Sequence, residues 1–429
     1  MSKRTPATLR SKPIPPQRIE TSVFGRIGLT PVINAAGKLT ALGGSAQSEV
    51  VAEAQAQAAR AHVDLQALRD VAGQHIAKWT GAEAACVTPG AAAGVAIATA
   101  ACITGSRIER ILLIPDSTGM ANRVLLQAGH DVNFGASVTQ MIRLGGGITQ
   151  RIGWANAVPF ELLDEALTDS TDIAAFMYVQ SHHAVQERMI PLDACIAACH
   201  RRAIPVIVDA AAEDDLRRYI AQGADLVTYS GGKAFGGPTS GFIAGRRDLV
   251  EACELQQRGI ARTMKVGKEQ IAGLLAALTD YVGRDEAAID AARNKLIANL
   301  QAELADVTGL ATHLKADEAG RAIHRLALRR SDGGDIRELV RFLARGTPSI
   351  RVREHHLDDG IALIDPREMS APQSALVAKQ VRAFFAMLRT AKNALAAGAI
   401  ESTSDSTSKS KSKTKLPGKG NKTNRKGAA

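Results

Sequence analysis

Two apolar runs end in residues that can do chemistry together. Val206-Ile-Val-Asp-Ala-Ala-Ala closes on Asp209, and Asp225-Leu-Val-Thr-Tyr-Ser-Gly-Gly-Lys-Ala-Phe-Gly-Gly-Pro-Thr-Ser-Gly presents Lys233 on a glycine-rich loop. A lysine amine forms an imine with a carbonyl and can afterwards carry a proton. A carboxylate facing a ring nitrogen keeps that nitrogen protonated, so the ring can accept electrons. The cofactor that needs both groups is pyridoxal 5′-phosphate (PLP), and adjacent strand ends of an α/β sheet can set them against different parts of one ring. Ala211 is small enough for the ring to lie against the chain, and Ser230, three residues before the lysine, can reach the phosphate.

Two other readings compete. A glycine-rich turn can simply carry a solvated lysine. Ser230 and Lys233 also match the Ser-x-x-Lys pattern of some serine hydrolases. That pattern opens a helix, whereas Gly236, Gly237 and Pro238 block one here. The paired contexts of Asp209 and Lys233 favour PLP over both.

Further candidates follow from position. Thr88-Pro-Gly-Ala-Ala-Ala-Gly follows an apolar run and opens a helical stretch, so the N–H groups of Gly90, Ala91 and Ala92 form a candidate phosphate cradle. Gln180, Ser181, His182 and His183 follow a strand end, and Ser181 and His182 are expected to touch the ring's O3′ or its face. Arg262, Lys265 and Lys268 flank a helix start near Gly267, where cations can hold a substrate phosphate or carboxylate. A solvated basic turn is an equal reading of those three. No metal site is expected. Cys195, Cys199 and His200 fit no zinc spacing, and the five cysteines sit in apolar segments as reduced, packed thiols.

The elements that must position these residues alternate. Apolar runs predict strands at 84–87, 111–114, 141–144, 173–179, 206–208, 226–229 and 242–244. Helices are expected at 91–104, 119–128, 191–202 and 214–221. Alternation of this kind predicts an α/β domain with a mostly parallel sheet. Residues 267–303 read as long helices. A smaller α+β unit follows, with strands at 322–328, 349–353 and 361–363 and helices at 336–344 and 372–395. The expected division is a basic arm over 1–23, a large PLP-binding domain over 24–266, connecting helices and a small C-terminal domain over 267–398, and a Lys/Ser-rich disordered tail over 399–429.

The net charge of +10 lies in the two ends. Residues 1–20 carry +4 and residues 401–429 carry +6, which leaves 21–400 formally neutral. A nucleic-acid-binding body more often has its own basic face, so nucleic acid is expected to bind only weakly, through the tails. No apolar run reaches the length of a membrane span, and the N-terminus lacks the apolar core of a secretory signal. A cytoplasmic location is expected.

Several stretches carry a family resemblance. They are Pro31-Val-Ile-Asn-Ala-Ala-Gly, Thr80-Gly-Ala-Glu-Ala-Ala, Gly223-Ala-Asp-Leu-Val-Thr-Tyr-Ser-Gly-Gly-Lys, Gly236-Gly-Pro-Thr-Ser-Gly and Gly245-Arg-Arg-Asp-Leu. Across residues 24–390 the chain resembles the selenocysteine synthase-like group of fold-type I PLP enzymes, the L-seryl-tRNA(Sec) selenium transferases and their relatives. Leu39-Thr-Ala-Leu-Gly-Gly-Ser, Ala184-Val-Gln, Asp209-Ala-Ala-Ala-Glu-Asp-Asp-Leu and Met264-Lys-Val-Gly-Lys-Glu are most similar to the ammonia-lyase members, which act on a phosphorylated amino-sugar acid. The selenium transferases differ in having a tRNA-binding N-terminal domain and an Asn-rich stretch where this chain reads Thr88-Pro-Gly-Ala-Ala-Ala.

The resemblance implies the fold-type I architecture, a large parallel-sheet domain with a smaller C-terminal one, and at least a homodimer. It implies that Arg351 or Arg353, followed by His355 and His356, lies where the substrate carboxylate binds. The expected activity is a PLP lyase that eliminates from a β-hydroxy amino acid, releasing ammonia and a 2-oxo acid. The alternatives are a selenium transferase and a non-catalytic, RNA-associated protein on the same fold.

Overall fold

The computed structural model describes residues 22–181, 183–317 and 322–404. The arm over 1–21, His182 and the tail beyond 404 lie outside the described residues. Twelve strands are present among those described: β1 (Val32–Ala35), β2 (Ala84–Thr88), β3 (Arg123–Gln127), β4 (Ile148–Ile152), β5 (Ile173–Val179), β6 (Val206–Asp209), β7 (Leu226–Ser230), β8 (Gly241–Gly245), β9 (Leu310–Ala316), β10 (His324–Arg330), β11 (Ser349–Val352) and β12 (Ala362–Ile364). Seven of them form one sheet in the order β2-β8-β7-β6-β5-β3-β4. β8 runs antiparallel to both β2 and β7, and the other neighbours pair in parallel.

Every residue of β5 is buried, as its unbroken apolar run requires when helices cover both faces of a sheet. The Ala-rich helix Ala91–Thr104 crosses one face. It comes close because its residues are small: a Cβ at Gly94 would lie 3.3 Å from Thr228 Cβ of β7. The expected α/β class and fold are therefore present, with a small antiparallel sheet, β12-β10-β9, in the C-terminal unit.

Four expected elements differ, the first being the helix expected over 214–221, which spans only Arg218–Ala221 because Asp214 and Asp215 belong to the preceding loop. Residues 141–144, read as a strand, belong to the helix Val138–Leu144, which Ser137 caps by accepting from Gln140 N at 3.2 Å. Its Val138 and Ile142, four apart, are the buried residues. Residues 111–114, also read as a strand, leave the short helix Ile108–Ile111 into a turn that exposes Leu112 and Leu113. Within 119–128, read as a helix, lies β3, whose Val124, Leu125 and Leu126 are buried in mid-sheet. Short apolar runs do not by themselves separate strand from helix.

Packing also divides the buried side chains between clusters. Ile33 and Ala35 of β1 join the small-domain core with Ile350 and Val352, because β1 pairs in parallel with β11. Ile271, Leu274 and Leu278 of the helix Lys268–Gly283 join the large-domain core instead. The passage between the two bodies therefore falls at residues 284–286, just before the helix Glu286–Leu304. Among the described residues no helix is long and apolar enough to cross a membrane. All five cysteines are free thiols.

Candidate active site

β6 and β7 are neighbours, and their C-terminal ends bring Asp209 and Lys233 together. Asp209 closes β6, is buried, and accepts on Oδ1 from Ala211 N at 3.1 Å and from the Thr228 hydroxyl at 3.4 Å. Among the described residues both hydrogen bonds of this carboxylate end on that one oxygen. Lys233 lies three residues beyond Ser230, the last residue of β7, in a loop tied by Gly231 N to Ser240 O at 2.8 Å and by Gly237 N to Gly231 O at 2.8 Å. Burial lowers the Lys233 amine below its ordinary value, and Asp209 opposes that lowering. Burial raises the Asp209 carboxyl, and Lys233 opposes the rise. Each charge is felt by the other.

The segment expected to cradle a phosphate lies beside them. Thr88 and Ser230 both register with Gly241 of β8. A Cβ at Gly241 would stand 2.5 Å from Tyr229 O and 2.8 Å from the Gly90 carbonyl carbon, so only glycine lets these segments meet. Gly94 N is the first intrahelical donor, to Gly90 O at 2.9 Å. The earlier N–H groups, from Ala91 onward, stand at the positive end of the helix. Ser181 follows β5 and accepts on its hydroxyl from His183 N at 3.2 Å, while Gln180 N donates to Asp209 O at 2.9 Å.

A cavity of about 730 Å³ opens over Lys233 between the two domains. Its walls include His183, Arg353 and His355, and burial, Lys233 and Arg353 together lower the His183 imidazole. Arg353 is buried and faces this space, whereas Arg351 is exposed. Lys315 Nζ lies 2.9 Å from His356 Nε2, away from the cavity walls. Among the described residues no cluster of His, Cys, Asp or Glu suits a metal ion.

The cations expected at the substrate lie elsewhere in their own chain. Arg262 and Lys265 are exposed and line no part of this cavity. Lys268 donates to the carbonyl of Ala58 at 2.6 Å and meets Glu269 at 2.5 Å, which caps the helix Glu49–Arg60. The cavity takes its cations from Lys38, Arg218, Arg284, Arg293, Arg353 and Arg367.

Lys38 is the least expected of these. Its Nζ donates to the backbone carbonyls of Lys233 and of Ala234, the latter at 3.2 Å, and lies 3.9 Å from Glu368. Burial lowers its amine to about 8. The motif Pro31-Val-Ile-Asn-Ala-Ala-Gly ends one residue before it, which was the available signal. Ser45 reinforces the contact by donating to Gly232 O at 3.1 Å and Lys233 O at 3.2 Å. Residues 37–46 thus strap the lysine loop from above.

Comparison with known proteins agrees with this geometry. The family model for L-seryl-tRNA selenium transferase matches residues 207–331, the stretch that contains Asp209 and Lys233. The D-glucosaminate-6-phosphate ammonia lyase of Salmonella typhimurium is 41% identical over 364 residues, covering 84% of this chain and 97% of that protein. A solved structure of D-glucosaminate-6-phosphate ammonia-lyase superposes with a TM-score of 0.79 at 40% identity, covering 85% of this chain and 98% of that one. A 5′-C-glycyluridine monooxygenase-decarboxylase from a Streptomyces species is 42% identical over 355 residues, covering 82% of this chain and 88% of that protein. An alanine–glyoxylate aminotransferase from Nostoc, TM-score 0.53 at 18% identity over 82% of this chain and 95% of that one, shares the fold alone. The sheet order, the strand-end pair and these likenesses make the chain a member of the L-seryl-tRNA selenium transferase (SelA) family of fold-type I PLP enzymes.

Proposed function

We propose that the protein is a PLP-dependent lyase that eliminates the β-hydroxyl of a phosphorylated, sugar-derived amino acid and releases ammonia and a 2-oxo acid. The observation that carries this reading is the buried Asp209 carboxylate coupled to Lys233, which lines the cavity, in a chain 41% identical to a D-glucosaminate-6-phosphate ammonia lyase. PLP, when bound, supplies a ring that takes up the electrons left at the substrate's α-carbon.

The chain's own residues do the rest. Lys233 anchors the cofactor and then takes the α-proton, a task its lowered amine suits better than an ordinary lysine would. Asp209 holds a proton on the ring nitrogen through the oxygen that Ala211 and Thr228 leave open. Gly90, Ala91, Ala92 and Ser230 would hold the cofactor's phosphate, and Ala211 and Ser181 would border the ring. Arg353 holds the substrate carboxylate.

The test is an ammonia-release assay over β-hydroxy amino acids that includes D-glucosaminate-6-phosphate, with borohydride trapping and peptide mapping. Ammonia release, with PLP fixed to Lys233 and lost in Lys233→Ala, is expected. Protein that stays unlabelled after PLP and borohydride overturns the cofactor assignment. Dioxygen consumption with loss of carbon dioxide and no ammonia favours the chemistry of the Streptomyces relative. Selenocysteinyl-tRNA formation without ammonia release favours transfer over elimination.

A further inference from the structure

The cations of the cavity fall into two groups. Lys233 and Arg353 act on His183, whose imidazole they lower after burial. A second group surrounds Lys38: burial lowers its amine most, Glu368 opposes, and Arg367, Arg293 and Arg284 lower it further. The first group serves the amino-acid end of the substrate. The second has no task in the reaction proposed above.

Arg284 and Arg293 are only partly committed. Arg284 donates from Nε to the Glu286 carboxylate, and its guanidinium stacks 4.1 Å from the centre of the Tyr281 ring. Arg293 donates from Nη1 to Asp290 Oδ1 at 2.9 Å. Among the described residues these are the only hydrogen bonds of either guanidinium, so two nitrogens on each keep their donors. Both side chains are only 20% exposed and both line the cavity. Arg367 differs, because it gives both Nε and Nη2 to Asp365. Two stacked or braced guanidiniums with unspent forks match the three oxygens of a phosphoryl group better than they match a hydroxyl or an amide.

We propose that Arg284 and Arg293 form a subsite for a phosphoryl group at the distal end of the substrate, with a hydroxylated chain between that group and the reacting carbons. This rests on the lyase reading for the amino-acid end. Two features fit the intervening chain. Asp214, in a loop that lines the same cavity, offers a carboxylate acceptor to hydroxyl donors. The cavity volume also lies in the range that encloses ligands well beyond a three-carbon acid. Arg284 follows the last helix of the large-domain core and Arg293 belongs to the first helix of the small-domain core. A phosphoryl group held by both arginines therefore ties the two bodies together over Lys233.

The experiment compares D-glucosaminate-6-phosphate with unphosphorylated D-glucosaminate on the PLP-loaded enzyme. The phosphorylated acid is expected to have the higher kcat/KM. Arg284→Ala and Arg293→Ala are each expected to reduce that preference by about 10- to 100-fold, chiefly through KM, as loss of a charged hydrogen bond does. Arg293→Lys, which keeps the charge without the fork, recovers part of it. A calorimetric titration with inorganic phosphate gives an independent reading, and the double alanine variant loses the binding seen with the unaltered enzyme. Equal kcat/KM for the two acids in the unaltered enzyme, or a double variant with undiminished preference or phosphate affinity, overturns the subsite. Absence of ammonia from both acids defeats the lyase reading instead, and the phosphate titration then decides the subsite alone.

Discussion

Asp209 and Lys233 come near each other because Asp209 closes β6 and Lys233 follows the end of β7, its parallel neighbour, with Asp209 registered against Thr228. The Thr228 hydroxyl and Ala211 N turn Oδ1 of the carboxylate toward the chain, so its charge is oriented before any ligand arrives. Such preorganisation is worth most where water is excluded, and Asp209 is buried. On the function proposed above, Asp209→Asn keeps the shape and removes the charge that would hold a ring proton. Turnover is expected to fall by about 100-fold or more, since a removed preorganised electrostatic contact costs that much. PLP is expected to remain bound, because Lys233 and the phosphate cradle are untouched. Cofactor absorbance and steady-state ammonia release measured together check both halves. Full turnover in this variant would place another group at the ring nitrogen.

The strap over residues 37–46 is the element on which the lysine loop leans. Gly43 and Gly44 both have positive φ, +85° and +83°, so alanine at either carries a left-handed backbone cost of about 1–2 kcal/mol. They differ in what a side chain would meet. Nothing lies within 4 Å of a Cβ at Gly43, whereas one at Gly44 would stand 2.8 Å from Gly232 O, next to Lys233. Gly44→Ala is therefore expected to displace the strap from the lysine loop and lower kcat, with loss of the bonds from Ser45 and Lys38. Gly43→Ala is expected to lower Tm while leaving kcat much closer to that of the unaltered enzyme. Equal kcat losses in the two variants would show that the strap does not position Lys233.

At the scale of the whole molecule Asp365 ties β1 and Gly37, where the strap begins, to the small-domain sheet. It follows β12, accepts from Arg325 Nε at 2.8 Å and from Arg367 Nε and Nη2 at 2.9 and 2.8 Å, and a Cβ at Gly37 would lie 2.8 Å from its Oδ2. Asp365 N also donates to Ala35 O of β1 at 2.9 Å. Burial works against its charge, but the Arg367 and Arg325 guanidiniums outweigh burial and hold the carboxyl at about 2, below the ordinary 3.8. A carboxyl lowered on folding stabilises the protein above its unfolded pKa and loses that contribution as pH falls through the folded one. Stability should accordingly drop between about pH 4 and pH 2, followed by circular dichroism across an acid titration. Asp365→Asn leaves two buried guanidiniums short of a charge and is expected to cost about 3–5 kcal/mol, as breaking a buried pair does. That variant should show a weaker dependence on pH over the same window. An unchanged acid profile in Asp365→Asn would assign the acid sensitivity to other carboxylates.

The candidate site was legible in the sequence where it is local. Asp209 and Ser230 end contiguous apolar runs, Lys233 follows three residues later, and the helix after Gly90 begins where its small residues begin, so type and spacing were enough to place these candidates at strand and helix ends. Identity of the neighbours was not local. Lys38, Arg284, Arg293 and Arg353 come from four separated segments, and they share one cavity only because β1 leaves its sequence neighbours to pair with β11 and because the passage between the bodies falls at 284–286. Arg262, Lys265 and Lys268 looked equally suitable as cations in the sequence. Folding left the first two exposed and engaged the third with the carbonyl end of the helix Glu49–Arg60. The apolar run at 141–144 went to a helix because Ser137 caps it and Val138 and Ile142 share one face. Residue type and period determine what a segment can do, and the tertiary structure determines which segments face the same space, since that depends on pairings between strands far apart in the chain.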